Sequence, residues 1–437
     1  MSSNSLITVF QEIARSLIED YIASSEDFFI KTRSEFFQKY YRVSELREGE
    51  KKGFLFIDAG FKRYELDVAY ILPLQIGGLY RSEDNELVGV DKVLNYPPVD
   101  FMILYSSRKR SGDRYSFKIR VKCPGRTLLF GEPGNCEEVS NKLSELVNEL
   151  VLTSKDYAQK SRSPRFFAKI TSYVEGLLEL AYGIALRDKL AEKGYVEKDT
   201  PVIIDGSLLR WFSVRRGASV DGLDIIACIL GTKPSLLIDK LGSVFGLAKS
   251  TKFTIIARSY GLFSRARRSG IGLYTSINHN SLEELRSYMK EILEKHALQS
   301  FLEETTRLVN RIVYEKHGIY VARFPVTSDY STVFMLDLYT RKPIISVDRN
   351  GVDISIEAAK SVNERIEKTV HSLYSRRSRV VGEPPYGYPE VDSLVRFVKT
   401  TQKTIETLLL SAIGREEAST PLLQALASTL RMRYGYR

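Results

Sequence analysis

The sequence predicts an α/β protein, a mixed sheet flanked by helices, with a helical arm before it and further helices after it. Two short apolar β-forming runs, Phe-Leu-Phe-Ile at 54–57 and Val-Ile-Ile at 202–204, each lead straight into an aspartate and a glycine, in Asp58-Ala59-Gly60 and Asp205-Gly206-Ser207. Such runs read as buried strands that end in turns. Between them, residues 163–193 repeat Phe166, Ile170, Tyr173, Val174, Leu177, Ala181 and Ile184 at helical period, the mark of a long core-facing helix.

Taken in order, residues 6–41 carry apolar side chains at helical spacing with a break at Ser24-Ser25, so residues 1–50 are expected to form a helical arm. The charged stretch 44–52 is a loop leading to the strand 54–58. Residues 64–72 and 75–80, then 101–105 and 116–121, read as further strands, with the basic run 106–112 as a hairpin tip. Residues 136–152 and 163–193 read as helices. The second is apolar on both faces, which sets Glu179, and Glu175 one turn earlier, into an interior where a carboxylate needs a partner.

After the strand ending at Asp205, residues 219–230 are apolar enough for the core, 235–241 form a short helix, and 244–248 are a strand that delivers Lys249. Residues 253–257 read as a strand. Helices follow at 281–300, opened by a capping box of Ser281 and Glu284, and at 302–315. Strands at 318–324, 332–339 and 344–347 precede a helix at 356–376. Tyr388-Pro389 introduces a helix over 390–413, and 421–434 is the last. The expected division is an arm at 1–50, a main domain at 51–415 with helical insertions near 136–193 and 281–315, and a terminal helix at 416–437.

Composition bounds the function. Across 437 residues, 64 Lys and Arg face 54 Asp and Glu, a formal charge of +10 that favours a polyanionic partner. Arg258, Arg265, Arg267 and Arg268, interleaved with Tyr260 and Phe263, suit single-stranded nucleic acid, where phosphates pair and bases stack; an exposed basic loop is the structural alternative. Cys123, Cys136 and Cys228 form no CxxC pair, so neither a disulfide framework nor a zinc site is expected. The expected compartment is reducing. The first ten residues lack a signal-peptide pattern and no apolar run is long enough for a membrane span, so a cytoplasmic protein without membrane contact is expected. Residues 242–250 lack the spacing of a phosphate loop and no GxSxG occurs, which argues against nucleotide hydrolysis and acyl transfer. His279, His296, His317 and His371 show no metal-ligand spacing.

Metal-assisted phosphodiester hydrolysis needs carboxylates converging from rigid elements, because Mg²⁺ and Mn²⁺ prefer oxygen ligands. In an RNase H-like arrangement one acid ends the first strand, one sits on a helix, one ends a later central strand and one sits on a late helix. This chain offers Asp58, Glu179, Asp205 and Asp392 in that order. Each also has a structural reading: the aspartates as turn formers, Glu179 as an arginine partner, Lys249 as a solvated strand end.

Phe-Ile-Asp at 56–58, Val-Ile-Ile-Asp-Gly-Ser-Leu at 202–208, Gly-Leu-Ala-Lys-Ser at 246–250 and Gly-Tyr-Pro-Glu-Val-Asp at 387–392 follow one another as in the NurA family, and over most of 50–415 the chain resembles these archaeal and bacterial DNA-end-processing nucleases. The resemblance implies an RNase H-like fold and a nuclease dependent on Mn²⁺, with Mg²⁺ as the alternative ion. It further implies action on single-stranded and double-stranded DNA ends, a homodimer, and partnership with a hexameric HerA-type ATPase. The implied role is 5′–3′ exonuclease and single-strand endonuclease in resecting double-strand breaks. By the same resemblance Asp58, Glu179, Asp205 and Asp392 hold metal, and Lys249 contacts phosphate. Here Asp-Ala-Gly stands at 58–60 where the family usually has Asp-Gly-Ser. That departure motivates a second reading, a catalytically silent DNA-binding subunit; an RNase H-like enzyme acting on RNA is a third.

Overall fold

The computed structural model describes residues 7–16, 19, 28–66, 69–111, 114–154, 164–209, 217–249, 251, 253–254, 257, 262–263, 272–327, 332–348, 350–377, 383–385 and 387–415. Arg258, Arg265, Arg267, Arg268 and the helix expected at 421–434 lie outside these residues. Residues 7–16 are helical. Helix α1 (Phe28–Tyr40) runs without a break into strand β1 (Tyr41–Glu45), then β2 (Phe54–Phe61), β3 (Ala69–Arg81), β4 (Val99–Ser111) and β5 (Arg114–Lys122). Helices α2 (Pro133–Thr153) and α3 (Pro164–Glu192) lead to β6 (Val202–Asp205), α4 (Gly222–Ile229) and β7 (Val244–Ala248). Next come β8 (Leu273–Ile277), α5 (Leu282–His296), α6 (Gln299–Val309), β9 (Asn310–Tyr314), β10 (Ile319–Thr327) and β11 (Val333–Thr340), and then α7 (Ile356–Tyr374), α8 (Tyr388–Val395) and α9 (Lys399–Gly414).

The strands build one 13-stranded mixed sheet whose main path is β1-β8-β10-β11-β7-β6-β2-β3-β4-β5. Its centre is parallel, β2 beside β6 and β6 beside β7, and the pairs outside it are antiparallel. Strand alternation assigns the two faces. Leu55, Ile57, Val202 and Ile204 point into a core with the apolar stripes of α2, α3 and α4. Phe54, Phe56 and Ile203 point the other way, into a core with α1, α5, α7 and α8. Both faces of β2 and β6 are therefore covered, which is why these strands read as unbroken apolar runs.

The last turn of α8 crosses β2 and β3 closely, and glycine makes that possible. A Cβ on Gly60 would stand 2.1 Å from the carbonyl oxygen of Val395, and one on Gly77 would meet the side chains of Val395 and Leu394. Gly60→Ala is expected to push α8 off the sheet and lower stability by about 3 kcal/mol, read from urea unfolding. At the other end of α8, Gly387 adopts φ 111° against the ring of Phe56, and its N–H donates to the Glu390 carboxylate at 2.6 Å.

Several expected elements are corrected. The basic run 106–112 is no loop through Ser111: it belongs to β4, and the Arg108 guanidinium lies over the rings of Tyr115 and Phe167. Residues 253, 254 and 257, read as strand, are helical. Ser281 precedes α5 without a side-chain cap. The helix expected over 302–315 ends at Val309 because the next residues pair with β10 as β9, and the helix expected over 390–413 is two, α8 and α9. Cys123 and Cys136, expected to be free, form a disulfide with Cα atoms 6.2 Å apart, tying the end of β5 to the start of α2. No described helix is long and apolar enough to cross a membrane.

Candidate metal centre

Period-two alternation places Asp58 on the same face as Phe56, and Asp205 on the same face as Ile203. Since Ile57 pairs with Ile204 across the parallel β2–β6 ladder, the two aspartates arrive side by side. Asp392 comes down on them from α8, the helix whose approach Gly60 and Gly77 permit. One carboxylate oxygen from each of Asp58, Asp205 and Asp392 lies within 4.8 Å of the others. Asp58 is 7% exposed, while Asp205 and Asp392 are half-buried at the mouth of the site.

Basic groups border the triad. Lys249, at the exit of β7, brings its Nζ to 3.7 Å from Asp205 Oδ2. Its ammonium also lies 4.3 Å from the centre of the Tyr388 ring, and the Tyr388 hydroxyl donates to the Leu247 carbonyl at 2.8 Å, fixing that ring. Arg396 pairs with Asp392 one helical turn away. Asp58 accepts a hydrogen bond from the Ala59 N–H at 2.8 Å.

Burial pushes the Asp58 carboxyl up to about 7, and the neighbouring charges of Asp205 and Asp392 push the same way, against the Ala59 N–H and Lys249. Crowded carboxylates resist joint ionisation, and a cation between them relieves that cost. Three hard oxygen donors from three rigid elements fit Mg²⁺ or Mn²⁺.

Glu179 is buried, but it is not part of this triad. It shares a helical face with Gly183, one turn on, and Gly183 rests on Ile57, Val202 and Ile204, the opposite side of the sheet from Asp58 and Asp205. Glu175, one turn earlier, is buried as well.

Two residues not singled out from sequence hold the turn after Asp205. Asp337 on β11 is fully buried; its Oδ2 accepts from Ser207 Oγ at 2.6 Å and from the Leu208 N–H at 3.1 Å. Its Oδ1 takes the Arg323 Nε–H at 2.9 Å, directly across the β10–β11 ladder. The signal was a lone charge in each of two apolar strands at matching register. Ser207→Ala is expected to cost about 2 kcal/mol of stability in urea unfolding, since it leaves one lone pair of a buried carboxylate unmet.

No protein-family model and no curated protein matches this sequence. Among solved structures, the crystal structure of the NurA nuclease from Sulfolobus solfataricus aligns at 12% identity and a TM-score of 0.40, over 96% of this chain and 99% of that one. NurA bound to dAMP and manganese aligns at 13% identity and a TM-score of 0.32, over 97% and 100%. NurA with manganese aligns at 10% and 0.30, over 92% and 97%.

Proposed function

We propose that this chain is a NurA-type, metal-dependent deoxyribonuclease on an RNase H-like sheet, active on single-stranded and double-stranded DNA ends. The observation that carries the reading is the convergence of Asp58, Asp205 and Asp392, within 4.8 Å of one another, beside Lys249. Aspartates on two neighbouring strands and a late helix supply the rigid oxygen set that phosphodiester hydrolysis needs. The bound cation, Mn²⁺ with Mg²⁺ as the alternative, would polarise a phosphoryl oxygen and lower the pKa of water. Asp58, Asp205 and Asp392 hold it. Lys249, held over Tyr388 and half-exposed, offers its ammonium to a phosphate oxygen of the strand being cut.

The finer parts of the proposal follow the resemblance: 5′–3′ exonuclease and single-strand endonuclease activity in break resection, a homodimer, a hexameric HerA-type ATPase as partner, the basic stretch around Arg258, Arg265, Arg267 and Arg268 as the DNA contact, and a cytoplasmic setting. A second reading, a catalytically silent DNA-binding subunit, is favoured by Ala59, which stands where the family usually has glycine. End-labelled single-stranded and double-stranded DNA, incubated with the purified protein, separates them. Cleavage with Mn²⁺ that stops in EDTA is expected; binding without cleavage supports the silent subunit. Cleavage of RNA or a hybrid in preference to DNA moves the chemistry to the third substrate class.

A further inference from the structure

We infer that Asp221, Asp224 and His317 form a second cation site, apart from the Asp58 triad, built for a borderline transition-metal ion such as Zn²⁺. Asp221 caps the N-terminus of α4, where its Oδ1 accepts from the N–H groups of Leu223 at 2.9 Å and Asp224 at 3.3 Å. Asp224 reaches back to the Asp221 N–H at 2.9 Å, so both carboxylates are fixed by the helix start. His317 comes from the turn between β9 and β10, just before Gly318 at φ 62°. One ligand atom from each of the three lies within 4.8 Å of the others.

Two atoms point to a missing ligand. Asp221 is completely buried, yet its Oδ2 makes no hydrogen bond, and the buried Nε2 of His317 makes none either. Nε2 stands 3.6 Å from Asp221 Oδ1 and 3.4 Å from Asp224 Oδ1. Bond lengths of about 2.0–2.2 Å to Zn²⁺ give a tetrahedral edge of about 3.3–3.6 Å. Both separations from Nε2 match such an edge, and all three donors lie within 4.8 Å of one another. A protonated imidazole hydrogen-bonded to these carboxylates would sit closer and better aligned.

Imidazole among the donors distinguishes the site from the all-oxygen triad and favours Zn²⁺ over Mg²⁺. Lys316, half-exposed, places its Nζ 3.1 and 3.2 Å from the two oxygens of Asp224 and supplies positive charge there, so it competes with the ion. A cation would tie α4 to the β9–β10 hairpin, a structural rather than a catalytic task.

The test is Zn²⁺ titration by calorimetry into chelator-treated full-length protein carrying Asp58→Asn and Asp205→Asn, which disables the triad as a competing site. One bound equivalent, a melting temperature raised by Zn²⁺ and not by Mg²⁺, and loss of both on adding His317→Gln are expected. No bound equivalent, or one retained in His317→Gln, overturns the inference. If His317→Gln does not fold, Lys316→Met decides: tighter Zn²⁺ binding supports the site, and unchanged or weaker binding overturns it. Neither result depends on whether the triad cuts DNA.

Discussion

Asp58→Asn and Asp205→Asn are each expected to lower Mn²⁺-dependent DNA cleavage by about 10³-fold, equivalent to about 4 kcal/mol of barrier. Each change keeps the side chain's shape and removes a charged donor from a set of three that already lie within 4.8 Å of one another. Asp392→Asn should cost less, about 10-fold, because this carboxylate is partly solvated and already shared with Arg396. Initial rates on an end-labelled duplex at saturating Mn²⁺ give the ranking. Glu179→Gln provides the contrast: buried and outside the triad, it should leave the rate within a few-fold of wild type while altering stability. A loss at Glu179 as deep as that at Asp58 would add this buried carboxylate to the metal-binding set. Wild-type rates in Asp205→Asn would remove the triad from the chemistry altogether.

What could be read ahead of the structure follows from which interactions are local. The adjacency of Asp58 and Asp205 was legible because two buried runs of the same grammar end in aspartate, and strand alternation then fixes the side on which each carboxylate emerges. Glu179 shows the limit. The periodicity of α3 declared both of its faces buried, as they are, but which groups surround Glu179 there depends on long-range topology that no local pattern carries. The helix expected over 302–315 failed similarly, since pairing with β10 overrode a good helical pattern beyond Val309. The Asp337–Arg323 pair was hidden because it forms only through the register of two strands, and the Asp221–Asp224–His317 group because His317 reaches the start of α4 from a distant turn. The disulfide was missed because Cys123 and Cys136 fit no spacing motif.

Without metal, the protein should lose stability as pH rises, and Asp58 is the main cause. Its carboxyl is held at about 7 in the folded chain against an ordinary 3.8. Between those values the folded state keeps a proton that the unfolded state has released. Stability from this group is complete below about pH 4 and is lost as pH climbs through about 7, since it falls with pH wherever the folded state binds more protons. About three units at about 1.36 kcal/mol each bound the effect at roughly 4 kcal/mol. Asp100 and Asp221, both pushed up to about 6 mainly by burial, tilt the profile the same way. Comparison with Asp58→Asn isolates the term: in EDTA at pH 8 the variant should be more stable than wild type by a few kcal/mol, with the difference vanishing near pH 4, in urea unfolding across that range. Mn²⁺ should stabilise wild type strongly at pH 8 and weakly at pH 5, where it competes with the Asp58 proton. If wild type and Asp58→Asn share one pH profile in EDTA, neither burial nor the neighbouring aspartates hold a proton on Asp58, and the tension that a cation is proposed to relieve is absent.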